Sequence, residues 1–261
     1  MWKEYPFLNA EEMQCEPVVG ISACLFGESV RYDGGHKKQP SLLRQVKGEV
    51  RLVALCPEVA AGLGVPRPPV HLVDEGRQLE AVGIDNHELK VTDPLANYAD
   101  TVVSENYTQA ALEDRLCGYI FKSRSPSCGV DSTPVFKEGS HVHFADGIFA
   151  HSVRRALPWL PVMDEEDLAM KNRIDAFLLL SYLVKDFYVT TAKGGSVDAF
   201  IAHHAALLEV LPKAVMRHRK ISSTSGADED RVRQQYLRFS VLMKALRDVS
   251  PKTLLGLAPN R

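Results

Sequence analysis

The chain has no Cys-x-x-Cys pair, no apolar run of membrane-spanning length and no internal repeat, and each absence narrows what it can do. A structural zinc site normally uses four protein ligands, commonly with such a cysteine pair, so the sequence does not signal one. The densest apolar stretch, around 176–184, is far short of the roughly 18 residues a span requires. The first residues lack a charged stretch leading into an apolar segment and a small-residue cleavage site. No secretory or organellar leader is therefore expected, and the protein is read as soluble and cytoplasmic. Disulfide bonding is equally out of keeping, because the five cysteines (Cys15, Cys24, Cys56, Cys117 and Cys128) form an odd, scattered set. Metal binding or catalysis is the better reading for some of them.

With 261 residues, 45% of them hydrophobic and 25% charged, the chain can bury a real core as one large domain or two smaller ones. Short apolar runs alternate with helix-like segments over 18–162, as in a sheet with crossover helices, so the fold class there is α/β with an open, mostly parallel sheet. The runs VVGISA, VRLVAL and GYIFK are read as strands. Helices are expected over 93–116 and 147–157, before a final run WLPV. From Asp164 the pattern changes to long helical periods. One stripe carries Ile174, Phe177, Leu178 and Phe187 and ends at a GGS turn. A second, with Ser196 as N-cap, carries Val197, Phe200, Ile201, His204, Leu207, Leu208 and Leu211. The third, after the polar loop ISSTSGADED, carries Val232, Tyr236, Phe239, Leu242, Met243 and Leu246. This divides the chain into an α/β domain over 1–163 and a small all-α domain over 164–261. The charge divides similarly: fifteen Lys and Arg face eleven Asp and Glu in 165–261, against sixteen and twenty-two before it. Any polyanion would meet the C-terminal part.

Cys24, Cys56 and Cys128 each fall just beyond a strand end, on the edge of an open α/β sheet where crossover loops diverge and ligands bind. Any one of them could be a small buried hydrophobe. Their surroundings, ISACLFG, CPEVAAGLGVPRPP and KSRSPSCG, are rich in Gly, Pro and Ser, which shape loops rather than fill cores. Thiolates are soft ligands that suit iron-sulfur clusters, zinc or copper, and three of them without an obvious fourth fit a cubane cluster with one open iron.

Through ISACLFGESVRYDGGHK, CPEVAAGLGVPRPPVHLV, YIFKSRSPSCG and the GIFA near Gly147, residues 18–162 resemble the thiouracil desulfidase domain. The resemblance implies a 4Fe-4S cluster held by Cys24, Cys56 and Cys128, whose fourth iron receives the sulfur of a thiocarbonyl substrate. It also points to Glu58 and Ser125 as catalytic. The chemistry is coherent: a Lewis-acidic iron makes the thiocarbonyl carbon electrophilic. Glu58 would act as general base on an attacking water and return the proton as the C–S bond breaks. Ser125 would hydrogen-bond the base or the intermediate. The result is a hydrolysis without net electron transfer. A solvated loop carboxylate and an ordinary turn serine are the alternatives for these two residues.

Ser22, Arg67 and Lys122 are read as substrate-binding, with a salt bridge as the alternative for Arg67. Arg124 beside Lys122 could attract a polyanion. Arg31, Tyr32, Asp33 and His36 lie in a glycine-bearing loop that bends at Asp33-Gly34. Cys15 and Cys117 are read as structural, and His204 as a satisfied core histidine. The helical part resembles, more weakly, a second domain often fused behind the desulfidase domain, through PVMDEEDL, FIAHHAALLEVLP and YLRFSVLMKAL; where that family usually has His-Lys, this chain has His204-Ala205. Such fusions imply removal of sulfur from 4-thiouridine in transfer RNA, with the helical part as the RNA contact. The run MRHRK at 216–220 offers either phosphate contacts or charges that complement a helix end. The expected activity is thus a redox-neutral, 4Fe-4S-dependent desulfidase of a thiolated pyrimidine, 4-thiouridine in transfer RNA before free 2-thiouracil or thiouridine. The rival is a non-catalytic RNA-associated module holding zinc or a structural cluster.

Overall fold

The computed structural model describes residues 16–106, 114–170, 172–212, 215 and 228–256; Cys15, the run 216–220 and most of the polar loop after it lie outside the described residues. The first sheet contains β1 (Val18–Ser22), β2 (Arg51–Leu55), β5 (Leu116–Phe121) and β8 (Val162–Asp164) in the order β2-β1-β5-β8, and every pairing in it is parallel. Every residue of β1 and β5 is buried, as expected for central parallel strands covered on both faces.

A second sheet, not read from the sequence, is ordered β4-β3-β6-β7, with β3 (Val70–Asp74), β4 (Leu79–Gly83), β6 (Thr133–Lys137) and β7 (Ser140–Ala145). Its β3–β4 and β6–β7 pairs are antiparallel, and β3–β6 is parallel. Helices α4 (Thr92–Ser104) and α5 (Ile148–Ala156) lie between the two sheets. Leu95 and Ile148 pack with Leu72, Ala81 and Val135 of the second sheet. Ala99, Val102, Phe149 and Val153 join the core of the first. Of the helix expected over 93–116, Thr92–Ser104 is helical and Leu116 already opens β5, while residues 107–113 lie outside the described residues.

The opposite face of the first sheet carries α6 (Arg173–Ala192), which follows a 3-10 turn at Glu165–Ala169. A Cβ on Gly118 would stand 2.7 Å from Ser181 Oγ and 2.9 Å from the Phe177 ring, so a residue without a side chain lets α6 seat on β5. Residues 176–188 are all buried. The sequence stripe described one face of a helix that is in fact enclosed on all sides. Around it lie α7 (Val197–His203), α8 (Ala205–Leu208), α9 (Asp228–Arg247) and α10 (Pro251–Leu254). Phe187 stacks on Phe239 at 3.8 Å between ring centroids and meets Phe200 edge-on. His204 is fully buried, with Nε2 2.8 Å from Asp186 Oδ2, while its Nδ1 has no partner. One buried core runs from the first sheet into these helices. No helix among the described residues is long and apolar enough to cross a membrane.

Candidate metal centre

Three chain crossings at the C-terminal edge of the first sheet each deliver a thiol. Cys24 lies in the short helix α1 (Ala23–Phe26) immediately after β1, and its turn closes at Gly27, whose φ of 117° is open to glycine. The loop beyond returns to it, with Lys37 N donating to Cys24 O at 2.9 Å. Cys56 caps α3 (Pro57–Ala60), where the proline at the first helical position starts the turn. The Cys56 thiol is directed at Val30 O, 3.9 Å away. Cys128 is carried by the SPSC loop after β5. That loop docks on the start of α5: Ile148 N donates to Pro126 O at 3.0 Å and Ala150 N to Ser127 O at 3.0 Å. The first-turn donors that a helix leaves unpaired are used here to hold the loop that carries Cys128. Gly147 makes this approach possible, since a Cβ there would sit 2.5–2.7 Å from backbone atoms of Ser127, Cys128 and Ser125.

Glu58 is fixed at both carboxylate oxygens. Arg67 donates from Nε to Oε2 at 2.7 Å and approaches with Nη2 at 2.6 Å, while Ser127 Oγ donates to Oε1 at 2.8 Å. The remaining arm of Arg67 donates to Gly64 O at 2.9 Å. Ser125 Oγ accepts from Cys128 N at 3.1 Å and from Ser127 N at 3.3 Å, which shapes the loop and leaves its own proton without an acceptor among the described residues.

The other expected binding residues also line the cavity, with their polar groups already engaged. Ser22 Oγ accepts from Lys122 N at 3.0 Å, and the Ser22 side chain pulls the Cys128 thiol partly back toward its ordinary value. Lys122 Nζ bonds Ser123 O at 2.8 Å and pairs with Glu165. Glu165 in turn accepts from Ser123 N and Ser123 Oγ, each at 2.8 Å. Burial pushes the Glu165 carboxyl up, but these bonds from Lys122 and Ser123 hold it below its ordinary value. Ser127 and Glu165 were missed from the sequence. Ser127 lay within reach, two residues past Ser125 in the same motif; Glu165 is visible only once β8 lies beside β5. In the loop after Cys24, Asp33 Oδ1 accepts from Gly35 N at 3.0 Å, confirming the expected bend.

The cavity has a volume of about 360 Å³, and all three thiols line it. Its ionisable wall is one carboxylate, Glu58, against Arg31, Lys37, Arg67, Lys122 and Arg124. Burial pushes the Cys24 thiol up to about 11, with Arg31 and Lys122 pulling it partly back. Burial likewise raises Cys56, and raises Cys128 well above the ordinary thiol value. Bare thiols here stay protonated, and only a cationic occupant would make three thiolates favourable. Among the described residues no three His, Cys, Asp or Glu side chains converge tightly enough to hold a single metal ion. Among the described residues no histidine or fourth cysteine lines the cavity, and soft thiol donors of this kind suit an iron-sulfur cluster, zinc or copper. Cys117 lies apart, fully buried, donating to Arg115 O at 3.3 Å.

Known proteins resemble part of this chain. It is 28% identical over 116 residues to the uncharacterised protein YbbK of Bacillus subtilis (strain 168), covering 42% of this chain and 71% of that one. A solved structure of the 4Fe-4S-dependent thiouracil desulfidase TudS is 30% identical, with a TM-score of 0.44, covering 59% of this chain and 93% of the other. The sequence model of the 2-thiouracil desulfurase family matches residues 19–165, the span that contains both sheets, the three thiols and Glu58. The chain belongs to the 2-thiouracil desulfurase family.

Proposed function

We propose that this protein is a redox-neutral desulfidase that uses a 4Fe-4S cluster on Cys24, Cys56 and Cys128 to remove sulfur from a thiolated pyrimidine, with 4-thiouridine in transfer RNA as substrate. The observation that carries the reading is the convergence of three thiols from three strand ends on one cavity beside a doubly anchored carboxylate. When bound, such a cluster supplies an open Lewis-acidic iron for the thiocarbonyl sulfur.

The protein's own residues would do the rest. Arg67 and Ser127 each occupy one side of the Glu58 carboxylate, and a carboxylate has lone pairs to spare, so Glu58 can still accept a proton from water. As that water adds to the thiocarbonyl carbon, the proton moves to Glu58 and is returned as the C–S bond breaks. The net change is C=S plus water to C=O plus hydrogen sulfide, which needs no external electrons. The unshared proton of Ser125 is available to the pyrimidine or the adding oxygen. Arg31 reaches the cavity with a buried Nε that lacks a hydrogen-bond partner, 3.7 Å from Asp33 Oδ1, and with Lys37 it would attract the phosphate of a nucleotide. Transfer RNA is supported further by the basic excess of the C-terminal part and by the run 216–220.

Protein purified anaerobically should contain close to four irons and four sulfides. Cys24→Ala, Cys56→Ala or Cys128→Ala should lose them, and Cys117→Ala and Cys15→Ala should not. Stoichiometric zinc would overturn the cluster. Thiolated transfer RNA should be turned over in preference to 4-thiouridine or 2-thiouracil at equal concentration, with binding that weakens steeply with salt and on neutralising Arg217, Arg219 and Lys220. Preference for the small molecules, unaffected by that neutralisation, would refute the RNA substrate and leave the desulfidase.

A further inference from the structure

Besides its thiols and charges, the cavity has an apolar part that the acid-base chemistry leaves idle. Among the described residues, the exposed large apolar or aromatic side chains that line it are Tyr32, 42% exposed, and Ile84, 46% exposed. A single apolar side chain on an open surface is ordinary, but in a ligand cavity such groups form the contact area. The two come from different sheets: Tyr32 lies in the loop after α1, beyond β1, and Ile84 directly follows β4. Tyr32 carries the only aromatic ring in the lining among the described residues.

The backbone places this ring without help from core packing. Tyr32 O accepts from Arg67 N at 3.0 Å, which ties it to the residue that grips Glu58. Beyond it the chain turns back, with Gly34 N donating to Arg31 O at 2.9 Å and Gly34 at a φ of 76° that suits glycine. The Arg31 guanidinium stands over the ring, 5.3 Å from its centroid and within cation–π reach. The ring is thus held at the cavity wall while much of its surface stays open.

We propose that the pyrimidine ring of the substrate stacks on Tyr32, with Ile84 as a second apolar contact, so that the pair selects a flat aromatic ring. This role rests on the desulfidase reading above and deepens it. Stacking uses the π face that every base presents, whatever its exocyclic atoms. Exchange of sulfur for oxygen leaves that face in place, so substrate and product are held alike. Binding of this uniform kind lowers KM and leaves kcat nearly untouched. Saturating the C5–C6 bond of the pyrimidine removes the flat face and with it the contact.

The test uses anaerobically reconstituted protein and two probes: uridine, the desulfurated product of 4-thiouridine, and 5,6-dihydrouridine, whose ring is no longer flat. Equilibrium dialysis gives the affinity for each, and steady-state kinetics on 4-thiouridine at matched iron content gives KM and kcat. Wild type should hold uridine roughly tenfold more tightly than dihydrouridine, the scale of one stacked base. Tyr32→Ala should lose roughly tenfold in uridine affinity and little for dihydrouridine, and should raise KM by a similar factor. Ile84→Ala should weaken uridine by about threefold. Tyr32→Phe keeps the ring face and should restore most of the affinity. Phe144→Ala removes an exposed ring outside the cavity and should leave both affinities as in wild type. Equal losses for the two probes in Tyr32→Ala, a fall in kcat at unchanged KM, or a wild type that does not prefer uridine would overturn the stacking role and leave the desulfidase standing. Absence of turnover of any thiolated pyrimidine by loaded wild type would overturn the desulfidase, and dialysis would still decide the role of Tyr32.

Discussion

Replacing Glu58 by Gln and Arg67 by Met, singly and together, separates the structural duty of this pair from its chemistry. The Arg67 side chain is 4% exposed and that of Glu58 14%, so neither charge is well solvated without the other. Arg67→Met leaves a carboxylate with only Ser127 as partner and should destabilise the folded protein by about 3 kcal/mol, the low end for a broken buried pair. Glu58→Gln is milder, about 2 kcal/mol, because the amide oxygen can still accept from Arg67 and Gly64 O retains Nη1. In the double variant no buried charge is stranded, and about 1–2 kcal/mol should be recovered relative to the sum. Activity should follow a different pattern. Glu58→Gln should lower turnover roughly 100-fold or more, the scale of a lost general base. Arg67→Met retains the base but not its aim, and should fall between. The double variant should be as slow as Glu58→Gln despite its regained stability. Urea unfolding of cluster-free protein gives the first quantity, and hydrosulfide release from a thiolated pyrimidine at matched iron content gives the second. Wild-type turnover in fully loaded Glu58→Gln would assign the base elsewhere, and additive stability losses would refute the coupling.

Two further perturbations probe the scaffold around the thiols. Gly147→Ala places a methyl against backbone atoms of Ser127, Cys128 and Ser125 that cannot rotate away, so it should cost roughly 1–3 kcal/mol and lower iron content. Intact stability and full loading would show that the SPSC loop can retreat from α5. Glu165 carries a folded-state pKa lowered by Lys122 and Ser123, so its contribution to stability is present above the unfolded value near 4.3 and is lost as pH falls through the lower folded value. Glu165→Gln should therefore destabilise the protein at neutral pH and flatten the acid limb of its stability profile, measured by urea unfolding between pH 3 and 7. A parallel, unflattened limb would remove Glu165 from the acid transition.

The parts of this site visible in the sequence are those where one short segment does the whole job. A thiol after an apolar run, in a loop of Gly, Pro and Ser, announces its position at a strand end, and Cys24, Cys56 and Cys128 are each announced this way; that Cys128 is buried within the hydrophobic core, with Cys24 packed against it, was not visible. Strand β1 could be read from VVGIS because a strand buried on both faces is continuously apolar. Partners brought together by topology were not visible. Lys122 and Glu165 are forty-three residues apart, and Ser127 and Glu58 sixty-nine. Ser22, Arg67 and Lys122 were read by residue type as substrate contacts; in the structure each lines the cavity and has polar atoms engaged by the Lys122 backbone N–H, Glu58 and Glu165 respectively. The second sheet escaped because its strands are short, partly exposed and interrupted by turns such as Asp74–Gly76 and Lys137–Gly139, which resemble loop.

The helical part bears on the chemistry of the first sheet whatever it meets in solution. Glu165 opens the turn that leads into α6, and its carboxylate holds both Lys122 and Ser123, the first residues past β5 on the way to Cys128. On the face of β5 that α6 covers, Phe177 and Ser181 press against Gly118. The strand that carries the SPSC loop is thus clamped by the chain that follows it, at its end through charge and at its middle through close packing. Tight interiors transmit displacement rather than absorb it. Helix α6 also reaches the segments that lead into β1 and β2, with Lys185 Nζ donating to Glu16 O at 3.1 Å and the Tyr182 hydroxyl to Glu49 O at 3.0 Å. The chain after Asp164 thus braces all three strands that lead to the thiols.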